Sequence, residues 1–248
     1  MKSLVIYSMV HKRMPKKLSQ LDYAALIQKG TYESLLEDDP DKKERIIKKV
    51  HRQVGKWADM LDIIVYVASN EKLPWTTDEL NIPVLPMLKK ADTGINQVGD
   101  YLTCVTTQKD GGTHTWLPLV IERKGGSKSR HGYPGDLYGT LMNGSNRARF
   151  ERELSRFEDD HRFNRGQFVI VAECSYRDFL LYRPKFKGKS FNRGPRAHGA
   201  KTEAREGTIA SLDEAGYHVV FAGSRMRAIR YFKTRIRQSI IRDYEMFL

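Results

Sequence analysis

The chain has 248 residues, 40% hydrophobic and 10% aromatic, enough to bury the core of one large domain or of a domain plus an extension. No apolar run approaches the roughly 20 residues that cross a bilayer, and the N-terminal "SLVIYSMV" is short for a signal-peptide core and has no small-residue cleavage site after it. Membrane-spanning and secreted classes are therefore set aside, and 43 Lys and Arg against 30 acids, a net charge of +13, favour a polyanionic partner.

In chain order, "KKERIIKKVHRQVGKWADML" places Ile46, Ile47, Val50, Val54 and Trp57 at helical spacings, and "LEDDPDKKE" before it reads as a turn and helix start. Residues 1–60 are expected to be a helical extension and residues 61–248 the main domain. "LDIIVYVAS" (61–69) is a short β-branched run that reads as a buried strand, and "NIPVLPML" is expected to resist regular structure. "GDYLTCVTT" and "THTWLPLVIERK" read as two strands joined through the turn-prone "QKDGGT", an antiparallel hairpin. "DLYGTLM" and "RARFERELSRF" are helical, with Phe150, Leu154 and Phe157 as the buried stripe. "GQFVIVAEC" is a strand, "EAREGTIASLDEAG" a helix, "YHVVFAG" a strand, and the last helix carries Ile229, Phe232, Ile236 and Ile240 on one face. This order, helix, three strands, helix, strand, helix, strand, helix, fits one α/β layered domain. Cys104 and Cys174 lie far apart without metal-ligand spacing and read as reduced core residues. His114, His131 and His198 show no zinc spacing.

Charge is unevenly placed. From Arg183 to Arg242 there are 15 basic and 4 acidic residues, a local excess of 15 − 4 = +11, which makes nucleic acid the leading partner. Within it, "YRPKFKGKSFNRGPRAHG" interleaves Tyr182, Phe186 and Phe191 with cations, a composition suited to stacking unpaired bases and following phosphates, and equally to a solvated loop.

Asp100 begins the first hairpin strand and Glu122 ends the second, so an antiparallel pairing puts both carboxylates at one end of the sheet. Two carboxylates and a backbone carbonyl suit Mg²⁺, which prefers oxygen ligands and keeps several waters. Lys124 shares a strand face with Glu122 by the period of two and is placed to orient a water or neutralise charge on a phosphate. A lysine at a strand end is expected to contribute little to the core.

At these positions the sequence resembles the XPF-type nuclease domain, a branch of the PD-(D/E)xK nucleases. "VGDY" (98–101), "VIERK" (120–124), "GDLYGTLMNG" (135–144), "RFEREL" (149–154) and "FVIVAE" (168–173) follow in the family's order, and the likeness covers about residues 62–240. It implies a restriction-endonuclease-like fold, a mixed central sheet flanked by helices, and a metal-dependent DNA endonuclease acting on branched or structured DNA, as in repair or recombination. By this likeness Asp100 and Glu122 are metal ligands for Mg²⁺, with Mn²⁺ able to substitute, Lys124 is the catalytic lysine, and Arg123 a phosphate or structural partner. The family's first motif carries Asp and Arg, where this chain has Ala68, Ser69, Asn70 and Glu71. Glu71 is thus a candidate additional site residue. So are Asp136, read equally as a helix N-cap, and Glu173, read also as a strand-end carboxylate. Cations expected to follow DNA are Lys128, Arg130, Arg147, Arg149, Lys185, Lys187, Lys189, Arg193, Arg225 and Arg227. The alternatives are a catalytically impaired DNA-binding module and a junction-resolving or restriction-type enzyme. The expected setting is the cytoplasm, on the nucleoid or in a phage host, with a homodimer or heterodimer as the assemblies considered.

Overall fold

The computed structural model describes residues 18–87, 99–106, 114–125, 133–159, 167–184 and 195–247. The chain divides into two compact units, Met1–Met60 and Leu61–Leu248.

The first unit pairs helix α1 (Gln20–Leu36) with α2 (Pro40–Ala58). Ser19 and Asp22 close a reciprocal capping box at the start of α1. Asp39 caps α2 by accepting from the backbone N–H groups of Asp41 and Lys42, with Pro40 at the first helical position. The helices meet closely at Gly30, where a Cβ would stand 2.6 Å from Val50 Cγ2. Val50, Val54 and Trp57 are buried as their spacing predicts, whereas Ile47 faces outward.

The second unit is α/β, with a mixed six-stranded sheet flanked by helices. Its strands are β1 (Asp62–Val67), β2 (Val84–Pro86), β3 (Tyr101–Thr106), β4 (His114–Lys124), β5 (Phe168–Ala172) and β6 (His218–Phe221), in the spatial order β2-β1-β3-β4-β5-β6. β1, β3 and β4 are antiparallel neighbours, while β2, β5 and β6 join in parallel. The helices are α3 (Thr77–Leu80), α4 (Gly135–Met142), α5 (Gly144–Glu158), α6 (Tyr176–Leu181), α7 (Pro195–Glu214) and α8 (Arg225–Arg242), followed by a 3₁₀ turn at Tyr244–Phe247.

Two details depart from the sequence reading, and a third concerns a proline within a strand that it expected. "NIPVLPML" contains β2, a three-residue edge strand. An edge tolerates prolines because the carbonyls still pair: Pro83 O accepts from Val65 N and Val67 O accepts from Met87 N. β4 holds Pro118 in the sheet interior, where the β3–β4 register shifts between Leu102 and Cys104, so the missing N–H falls at an irregularity. Helix α7 begins at Pro195, inside the stretch read as a basic loop.

Alternation along the central strands builds two cores. On one side Val120, Phe168, Ile170 and Ala172 pack with Leu137 and Leu141 of α4 and Phe150, Leu154 and Phe157 of α5. On the other, α8 lies against β4, and Trp75 stacks on Tyr101 at 4.6 Å between centroids, with Phe232 of α8 at 5.3 Å from Trp75. Because β4 is enclosed by β3 and β5 and covered on both faces, its charged end does not emerge into water.

Candidate active site

The charged triplet that ends β4 is buried: Glu122 is 4% exposed, Arg123 2% and Lys124 7%. This corrects the expectation that Lys124, as a strand-end lysine, contributes little to the core. Ion-sized charges persist in such a place only when paired or coordinated, and the two faces of the strand solve the problem differently.

On the α8 side, Arg123 is held by carboxylates. Its Nε and Nη2 donate to the two oxygens of Glu173 at 2.8 and 2.9 Å, and Nη1 donates to Glu71 Oε1 at 2.9 Å. The Trp75 indole N–H donates to Glu173 Oε1 at 2.8 Å, completing that carboxylate's surroundings. Gly125 is required beside it, since a Cβ there would lie 2.2 Å from Glu173 Oε2. The Glu71, Arg123 and Glu173 side chains therefore form an internally satisfied network, in which bidentate geometry suits Arg.

On the α4–α5 side, the β3–β4 ladder ends at the Tyr101–Ile121 pair, and Asp100 lies just beyond it, close enough for the Glu122 charge to act on it. Asp100 N donates to Ile121 O at 2.8 Å, and Asp100 Oδ2 accepts from Arg123 N at 2.8 Å. Gly99 makes this turn possible with φ +70°, and a Cβ on it would meet Val120 Cγ1 at 2.5 Å. Lys124 Nζ donates to Glu122 Oε1 at 2.5 Å and lies 5.7 Å from the Phe150 ring centroid. The second oxygen, Glu122 Oε2, is buried with no hydrogen-bond partner.

The electrostatics follow from this crowding. Burial raises Asp100 well above the usual carboxylate range, the Glu122 charge adds to it, and Lys124 pulls the other way. Burial likewise lifts Glu122 to about 7, against the opposing pull of Lys124 and with further lift from the charges of Glu153 and Asp136. The Lys124 ammonium loses to burial but gains more from Glu122, Asp100 and Asp136, so it stays protonated.

Asp136 accepts from Gly125 N at 3.1 Å across the start of α4, whose N-cap is Pro134, so it is not the helix cap. Its charge reaches Glu122 and Lys124 even though "GGSKSRHGYPG" separates it from the triplet in sequence. Glu153 is the acid that the sequence reading passed over. It accepts from Gly99 N at 3.0 Å and faces Glu122 electrostatically. Its position three residues after buried Phe150 was the available signal.

Among the expected DNA-facing cations, Arg149 and Arg227 are exposed, and Arg147 is exposed but pairs with Glu151 at 2.8 Å. Arg225 is a correction. It clamps α3 instead, donating to both oxygens of Glu79 at 2.7 Å and to the carbonyls of Leu73 and Pro74. Lys128, Arg130, Lys185, Lys187, Lys189 and Arg193 lie outside the described residues.

Among the described residues no three acids, His or Cys converge closely enough to hold a metal by themselves. Asp100 and the unbonded oxygen of Glu122 nonetheless fit a hard divalent ion that takes two carboxylates and fills its remaining positions with water. No helix among the described residues is long and apolar enough to cross a membrane. The chain matches no family model and no curated protein.

Proposed function

We propose that the chain is a Mg²⁺-dependent DNA endonuclease of restriction-endonuclease-like fold, as its likeness to XPF-type nucleases implies. The observation that carries the reading is the buried, unbonded Oε2 of Glu122, with Lys124 held on the other oxygen and Asp100 within reach of the Glu122 charge. Asp100 and Glu122 would hold Mg²⁺ or Mn²⁺, which supplies Lewis acidity toward a phosphate oxygen and a more acidic water. Lys124 keeps its proton and is positioned to orient the attacking water and to offset charge that grows on the phosphorane oxygens. Arg123, Glu71 and Glu173 act through the strand: they fix its backbone, and Arg123 N in turn fixes Asp100. Branched or structured DNA is the proposed substrate, in repair or recombination.

A non-cleaving DNA-binding module is the second reading. It is favoured by the Lys124–Glu122 pair, which satisfies both charges without a metal. Incubating the protein with end-labelled duplex, flap, fork and four-way-junction DNA decides between them. Cleavage in Mg²⁺ that stops in EDTA, strongest on a branched substrate, supports the nuclease; binding to all four with none cut supports the module.

A further inference from the structure

Along α2, Arg45, Lys49, Arg52 and Lys56 recur at intervals of four, three and four residues, which at 3.6 residues per turn places them on one side of the helix. That side is turned away from buried Val50, Val54 and Trp57, and all four side chains are exposed. A solvated helix face usually sets opposite charges at such intervals, as Lys29–Glu33 and Glu44–Lys48 do in the same unit. These four have no ion-pair partner among the described residues, and like charges at i, i+4 destabilise a helix. Their repulsion is relieved by a polyanion.

Two facts narrow the partner. At the candidate active site Lys124 lies among the charges of Glu122, Asp100 and Asp136, with Glu153 acting on Glu122, so without a metal this cluster offers a phosphate backbone no excess of positive charge and affinity is sought elsewhere. The apolar stripe of α2 is buried, so this helix has no greasy face to lay into a bilayer. The stripe extends about 16 Å, at 1.5 Å per residue, the reach of several successive phosphates. We propose that Arg45, Lys49, Arg52 and Lys56 form a second DNA-contacting surface that grips the sugar–phosphate backbone without regard to sequence. This rests on the reading of DNA as the substrate and extends it to the N-terminal unit.

The test uses the full chain in EDTA, so that it reads binding without cleavage. Fluorescence anisotropy with labelled duplex DNA is followed from about 50 to 200 mM salt for the parent, for R45Q/K49Q/R52Q/K56Q, and for the charge-keeping R45K/R52K. Each lost phosphate contact removes about 0.9 from the slope of log affinity against log salt, so the fourfold variant is expected to lose about 2 or more, while R45K/R52K keeps the parent slope. Circular dichroism verifies that the fourfold variant keeps its helices. An unchanged slope in the folded variant overturns the proposal. So does loss of binding to phosphatidylserine vesicles with DNA binding intact, which would assign the stripe to a membrane surface. If the slope falls as expected but no DNA is cut in Mg²⁺, the nuclease reading fails and the binding surface stands.

Discussion

At Arg123 a guanidinium has exchanged water for the carboxylates of Glu173 and Glu71, while one residue either side Glu122 and Lys124 face a different set of acids. Period-two alternation separates a scaffold residue from two site residues within three positions. Replacing Arg123 with Ala leaves buried Glu173 with only the Trp75 indole N–H and Arg225, 3.7 Å away, and takes the arginine from partly buried Glu71, so it is expected to destabilise the protein by about 3–5 kcal/mol. Lys124→Ala is expected to cost less in stability, about 1–3 kcal/mol for the lost partner of Glu122, but to slow cleavage by about 10² or more. Urea denaturation and single-turnover rates on the same two variants check the split. Equal, modest effects on both readouts would mean that the triplet has no division of labour. The alternation was legible in "VIERK". The burial of Lys124 was not, because it depends on β5 and α5 closing over the strand end.

Among the elements, short α3 is held to the start of α8 by Arg225, which bridges to Glu79. The Arg225 guanidinium lowers Glu79 from 4.5 to about 2. A carboxylate with a depressed folded-state pKa contributes stability that is present above its unfolded value and lost as pH falls through the folded one. Thermal melts of the parent and Glu79→Gln are therefore expected to differ at neutral pH and to converge between about pH 4.5 and 2. A constant difference down to pH 2 would show that the clamp carries no charge-linked stability. The hairpin of β3 and β4 was readable from its turn-prone connection, as was the buried stripe of α5. The short elements α3, β2 and α6 were not, since three to six residues are too few to display a period. Arg225 was misread for a related reason: the +11 excess between Arg183 and Arg242 shows how much charge there is, but not which arginines turn inward.

For the whole molecule, one unit carries a buried acidic cluster at the end of a central strand, and the other carries along α2 a row of cations with no ion-pair partner among the described residues. Affinity and chemistry are thereby assigned to different residues, which allows them to be tested apart. The order β2-β1-β3-β4-β5-β6 could not be derived from element order alone, because it is the parallel crossovers that bring β5 beside β4 and β6 beside β5. That order is also what encloses Glu122. The most direct measurement is DNA cleavage in Mg²⁺ by Asp100→Asn and Glu122→Gln, alongside calorimetric titration of each variant with Mn²⁺. The expected result is loss of cleavage and of metal binding in both variants, with DNA affinity close to that of the parent. Undiminished turnover by purified Asp100→Asn protein would contradict the assignment of these carboxylates to a metal.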